Sequence, residues 1–334
     1  MVYNSTTNSL AKEDPNVPGV VLAVSPDNQM VLINDTVRKV FYLYKVGSGG
    51  ISTFGGVGNY AQWTPDAKTL YVVGTDFSNP SIANGVPTLF VNNINTGWTT
   101  YPLDAPSTNL AITVPGVGAF LSGIQTVAHS WCPNLTPSPG YPHGQAYPLV
   151  AVAPAQTDML GATIDGQHIL GVGLDGGTTA TLSDIATMNF ASLVNGACPT
   201  QTSVVTLPAL QKPLGIQATT ITGVKVSPAS NLAFVTFTTS GAGTVNLPYY
   251  IPNADLSFGM LGAVTLSGTP TAPIAGAFSL DDTIFFVSTS GDNLVHYVDV
   301  KSLTDTKQIK PGLVDGNGNS VPATLIAVRP RTTT

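Results

Sequence analysis

A short apolar run, a turn of the Ser/Thr-Pro-Asp type, and a second apolar run starting about five residues after the turn's central residue recur along this 334-residue chain. The clearest copies are Val20-Val21-Leu22-Ala23-Val24-Ser25-Pro26-Asp27 before Met30-Val31-Leu32-Ile33, and Ala61-Gln62-Trp63-Thr64-Pro65-Asp66 before Leu70-Tyr71-Val72-Val73. Val224 to Pro228 before Leu232 to Val235, and Ala277 to Asp281 before Ile284 to Val287, repeat it. Weaker copies stand at Ile112 to Pro115 and Ala162 to Gly166, and a partial one at Leu325 to Pro330. The turn's proline position falls at residues 26, 65, 115, 164, 228, 280 and 330, a mean interval of about 51. A period of that size marks one supersecondary unit stacked many times, because a single unit cannot bury its own apolar face.

An interval of this length holds four strands of about five residues with their turns, the blade of a β-propeller. Composition agrees with an all-β fold. The chain has one Glu, Glu13, and three Arg, so the residues that build long exposed helices are nearly missing. Lys39 to Tyr44 and Leu294 to Val300 alternate as half-buried strands do. We expect seven blades of four antiparallel strands, the last closed by both chain ends, with six blades as the alternative. Residues 1–17 then form an N-terminal segment, an outer strand of the closing blade or an assembly tail, and residues 18–334 the propeller.

The repeat resembles the YVTN-type propellers of bacteria and archaea. The residues that carry the likeness are Ala23 to Asp27 with Met30 to Asn34, Thr64 to Val73, Val226 to Pro228, and Ser279 to Asp299. It departs from that pattern in Pro- and Gly-rich inserts of units three to five, such as Asn134 to Pro148 and Thr244 to Gly268. The resemblance implies a fold and a setting in surface-layer or cell-envelope proteins; it specifies no chemistry, because propellers host unrelated activities.

Charged residues make up 9% of the chain and the net charge is −6, which excludes a basic nucleic-acid footprint. Ser, Thr, Asn and Gly stand where Lys and Glu would be expected, as in exported proteins, so we expect a secreted or cell-surface protein whose signal segment is absent from these residues. Cys132 and Cys198 each precede a proline in a loop-like stretch, and neither has a His partner at zinc-finger spacing. One disulfide between them is expected, with two unrelated thiols as the alternative.

Catalytic motifs are sparse. Gly171 to Gly176 has dinucleotide glycine spacing, but no helix pattern follows it, and a hairpin turn at Asp175-Gly176 explains it. Asp315-Gly316-Asn317-Gly318-Asn319 spaces oxygen ligands as calcium loops do but lacks their bidentate Glu, so a polar turn is expected. Asp281-Asp282 occupies the repeat's turn, where an Asp caps backbone N–H groups. His129, His143, His168 and His296 share no metal spacing. We therefore expect no catalytic or metal-binding set and no cofactor. Among the aromatics, Trp63 belongs to the core, whereas Tyr249 and Tyr250, between Pro248 and Pro252, are the candidate contact residues.

The function expected is a non-catalytic, extracytoplasmic binding or surface-assembly module with its contacts on the inserts of units three to five. Its partner would be a protein, a cell-surface glycan, or a second copy engaged through Val2 to Pro15. The alternative is a propeller enzyme of lactonase or hydrolase type with its site in the central channel.

Overall fold

The computed structural model describes residues 2–4, 9–12, 17–64, 66–103, 106–112, 119–123, 129–131, 146–148, 157–163, 167–174, 177–186, 210–241, 243–255, 257–326 and 328. They are strands and turns, and among them no helix is long and apolar enough to cross a membrane. The chain divides into two compact units, residues 1–100 and 101–334.

In the first unit, β1 (Val2–Asn4) pairs with β2 (Ser9–Lys12) in a hairpin of its own. Sheet one follows, with β3 (Val20–Val24), β4 (Met30–Asp35), β5 (Val40–Lys45) and β6 (Ile51–Gly55); sheet two comprises β7 (Val57–Trp63), β8 (Thr69–Asp76), β9 (Val86–Asn93) and β10 (Gly97–Pro102). The second unit begins with sheet three, built from β11 (Asn109–Ile112), β12 (Ala119–Ser122), β13 (His129–Trp131) and β14 (Ala146–Pro148). Sheet four has β15 (Met159–Ala162), β16 (His168–Leu174), β17 (Thr179–Ala186) and β18 (Leu210–Gln217). Sheet five has β19 (Thr220–Val226), β20 (Ala233–Thr238), β21 (Leu247–Ile251) and β22 (Met260–Val264); sheet six has β23 (Ala272–Phe278), β24 (Ile284–Ser290), β25 (Val295–Asp299) and β26 (Thr304–Ile309). Each of the six is a four-stranded antiparallel meander in chain order.

The repeated turn is a compact hydrogen-bond device. Ser25 Oγ donates to Asp27 Oδ1 at 2.5 Å and accepts the Met30 N–H at 2.9 Å, while Asp27 Oδ1 also accepts the Gln29 N–H. Thr64 with Asp66 and Thr69, and Ser279 with Asp281 and Ile284, repeat this arrangement. The residue after the Asp turns back with positive φ, at Asn28, Ala67 and Asp282. The hydroxyl thus serves as donor and acceptor at once, which explains why Ser or Thr stands three residues before the tightest point of the turn. Replacing Thr64, which is 8% exposed, by valine should cost about 1–2 kcal/mol, whereas Thr64→Ser should stay near wild type in the same denaturation experiment; equal losses would contradict this role.

Sheet five lacks the Asp, and its turn is completed from outside. Ser227 Oγ accepts the Ala229 and Ser230 N–H groups and donates to Asp282 of the sheet-six turn. Within the adjacent Asp pair, then, Asp281 closes its own turn and Asp282 ties two sheets together.

The first strands of sheets one, two, five and six each carry a bulge at the same place, after Val21, Gly58, Ile221 and Pro273. A bulge sharpens local twist, so its recurrence belongs to the repeat. β25 alternates in burial as its sequence implies. β5 does not: Phe41 to Tyr44 are all buried, because this central strand is covered on both faces.

Two expectations from the sequence change here. Thr244 to Gly268, taken as a contact insert, supplies β21 and β22, the outer half of sheet five. At the expected closing strand, Leu325 and Ile326 are in no strand, and Leu325 is 76% exposed. Cys132, Cys198, Asp175, Gly176 and most of Asn134 to Pro148 lie outside the described residues.

Candidate functional site

Sheets one and two of the first unit share a core of Leu32, Phe41, Leu70, Val72 and Phe90. At one end of this core a groove of about 780 Å³ opens between them. Its floor is set by strand alternation. On β9, Phe90 points into the core, so Asn92, two residues on, faces the same way and reaches the groove wall. On β5, Leu43 lies in the core and Lys45, again two residues on, carries the same face out to the rim.

Trp98 forms the second wall. Its indole stacks on Phe54 at 5.3 Å and on Phe41 at 6.0 Å, while Phe90 meets Phe41 edge-on at 5.1 Å. Gly97, at φ +85°, makes the tight turn that delivers Trp98 into β10. Met30, Ile51 and Ile94 add apolar surface; Gln29, Ser48, Ser52 and Asn93 add polar groups. Lys45 and Asp27 are the charged groups of the lining, one of each sign. The Ser25 hydroxyl holds the Asp27 carboxyl below its ordinary range against the opposing effect of burial, with the Gln29 N–H assisting.

Two polar atoms of this wall are unusual. Asn92 is 4% exposed, yet its Oδ1 has no hydrogen-bond partner among the described residues, and the buried Nε1 of Trp98 has none either. A buried polar atom left unpaired costs about 1–3 kcal/mol, and both atoms are closed off from the groove's solvent.

The titratable clusters are of another kind. In the second unit, His168 Nδ1 lies 2.7 Å from Asp184 Oδ1, and the Tyr250 hydroxyl donates to Asp184 Oδ2 at 2.6 Å while accepting the Gly259 N–H at 2.7 Å. His168, Asp184 and Tyr250 are all buried. Burial, and then the bond to Asp184, push the Tyr250 phenol far above its ordinary range.

Sheet six holds a hydroxyl, an imidazole and a carboxylate in line. Thr289 Oγ1 is 3.0 Å from His296 Nε2, and His296 Nδ1 is 2.8 Å from Asp305 Oδ2. The order is that of a nucleophile, a base and an orienting acid, but the chemistry is blocked. Thr289 and His296 are 0% exposed, and the hydroxyl proton is given to Asp292 Oδ1 at 2.6 Å.

For Asp305, burial alone would raise the carboxyl, but the Ser267 N–H and the His296 ring outweigh it and hold the group below its ordinary range. A lowered folded value stabilises the fold above the unfolded carboxyl value of about 3.9, and that stabilisation is lost as pH falls through the folded value. Asp305→Asn should therefore destabilise at pH 7 and progressively less below about pH 4. A wild-type-to-variant gap in denaturation midpoint that is unchanged down to pH 2.5 would refute the linkage.

The residues singled out from sequence fall as follows. Tyr250 is fully buried, tilted against Phe258 at 5.0 Å, and its hydroxyl belongs to the Asp184 cluster, which removes it from the surface. Tyr249 is half-buried and packs edge-on to Phe234. Trp63 is in the core, as expected. Asp315 accepts the Asn317 and Asn319 N–H groups with one oxygen and the Asn319 side-chain amide with the other, closing a polar turn. Among the described residues no group of three His, Cys, Asp or Glu is placed to hold a metal. Sequence reasoning missed Asn92; its one signal was a polar residue on the apolar period of Leu89-Phe90-Val91-Asn92.

No protein-family model and no curated protein sequence matches the chain, so the YVTN likeness rests on the turn and strand residues alone. Solved structures do match. The crystal structure of the Myceliophteria thermophila Cps50 (Swd1) β-propeller domain aligns with a TM-score of 0.60 at 10% identity, covering 88% of this chain and 86% of that one. By fold the chain is a β-propeller. Hydrazine synthase of Kuenenia stuttgartiensis aligns with a TM-score of 0.55 at 13% identity over 83% of this chain and 75% of that one. At these identities the likeness speaks for the propeller fold and not for activity, and the six four-stranded sheets have the form of propeller blades.

Proposed function

We propose that this propeller is a non-catalytic binding module that works outside the cytoplasm, and that it meets its ligand in the groove between its first two blades. The observation that carries this reading is the groove itself, about 780 Å³, within the range of ligand sites and lined by apolar residues with a few polar groups. The two His-Asp clusters support the non-catalytic part, since their members bond one another inside the core. The low charge of the chain supports an exported setting. Six blades is the count we adopt, because six of the sheets among the described residues are four-stranded, whereas the β1–β2 pair has two strands and Leu325 and Ile326 add none to it.

Ser52, exposed on β6 at the groove rim, allows a direct test. Ser52→Trp should fill the groove without touching the core. Wild type should show saturable binding on glycan and peptide arrays, and the variant should lose it with an unchanged melting temperature. Identical array profiles for the two proteins, or none for either, would remove the groove from consideration.

A further inference from the structure

Building on the groove reading above, we infer that the ligand is an extended peptide, which joins the outer edge of the four-stranded sheet one as a further strand. β6 is the last strand of that sheet, and among the described residues no strand pairs with its far side. The Lys45 N–H donates to the Gly50 carbonyl at one end of the β5–β6 ladder, and the Gly56 N–H to the Lys39 carbonyl at the other. In an antiparallel ladder the bonded pairs fall at every second residue. Ser52 and Phe54 therefore turn their backbone groups to β5, while Ile51 and Thr53 turn theirs outward. Ile51 is 40% exposed, and Ser52 and Thr53 are exposed beside it, so the edge can be reached.

Folded proteins guard such edges with prolines or charges. β10, β14 and β18 carry Pro102, Pro148 and Pro213, and β26 carries Asp305 and Lys307. β6, read Ile-Ser-Thr-Phe-Gly, has neither device; β22 shares that lack but is no wall of this groove. The groove supplies the side-chain recognition. Ser52 pairs with Leu43 and so shares its face, toward sheet two. A residue added opposite Ser52 puts its side chain on that face as well, beside the half-buried Trp98 and beside Ile94, which is 47% exposed. An apolar side chain fits there. Lys45 and Asp27, one of each sign, leave the lining no surplus charge. The peptide is thus uncharged, with apolar residues at alternate positions, and main-chain bonds to Ile51 and Thr53 hold it in register.

The test is titration calorimetry on the full chain. The probes are capped heptapeptides in which Thr alternates with Val, Leu or Phe, with maltotriose and cellotriose as neutral glycans. The tightest peptide is also made in two N-methylated forms, one methylated at its Thr residues and one at its apolar residues. An added strand turns only every second N–H toward β6, so one form should lose binding and the other keep it, a readout that needs no protein variant. Thr53→Pro removes an outward N–H where an edge strand tolerates proline. It should weaken binding about tenfold or more, the worth of one hydrogen bond, while Thr53→Val should bind as wild type and Ser52→Trp not at all. Peptide affinity lost in Ser52→Trp that falls equally, or not at all, with the two methylation patterns would overturn strand addition and leave the groove reading standing. Trisaccharide binding without peptide binding, blocked by Ser52→Trp, would do the same. No binding of either class, or binding indifferent to Ser52→Trp, would overturn both.

Discussion

Asp184→Ala should lower the stability of the unit formed by residues 101–334 by about 3–5 kcal/mol, the range seen when one partner of a buried ionic cluster is removed. Asp184 is 3% exposed and serves two buried partners from separate strands, His168 on β16 and Tyr250 on β21. Its loss removes a buried hydrogen bond from each. Tyr250→Phe removes the bond to Asp184 and the acceptor of the Gly259 N–H but leaves the ring and the carboxylate in place, so it should cost less, about 1–3 kcal/mol. Denaturant unfolding followed by circular dichroism measures both, and a double variant should lose less than the sum, since the two share a contact. A loss under about 1 kcal/mol for Asp184→Ala would mean that water replaces the carboxylate and that the cluster holds nothing together.

Phe234→Ala should cost about 3–5 kcal/mol. Phe234 is fully buried on β20 and stacks on Phe285 at 4.5 Å, with Phe278 at 5.7 Å and Tyr249 at 6.5 Å around it. This cluster joins blades five and six, and Leu232, Leu247, Val264 and Val287 complete it. Truncation leaves a cavity lined by rings that cannot close over it. Phe234→Leu keeps much of the volume and should lose clearly less in the same thermal unfolding experiment. Equal losses would assign the energy to ring stacking and not to filled volume.

Legibility from sequence followed distance along the chain. The Ser/Thr-x-Asp turn could be read because its donors and acceptors lie within six residues, as Ser25, Asp27 and Met30 do. The same reading failed at Ser227, whose acceptor, Asp282, lies 55 residues away in the next blade. Tyr250 misled for a related reason. Prolines on both sides suggested an exposed insert, but Pro248 and Tyr250 both lie in β21, and their ladder partners, Ala263 and Leu261, come 15 and 11 residues later. Local composition cannot separate an outer strand of a blade from a loop when the strand is short and flanked by prolines.

By itself the sequence determined the period, the strands that flank the repeated turn, and the turn: its hydroxyl, carboxylate and amide lie within six residues of one another and meet locally. Tertiary structure alone decided which strand faces meet. Asn92 and Trp98 share a groove because blades one and two bring β9 and β10 against β5 and β6, and His168, Asp184 and Tyr250 join because blades four and five pack their side chains into one core. Those meetings depend on burial between sheets, and an alternating strand pattern says which residues share a face but not which neighbour that face will find.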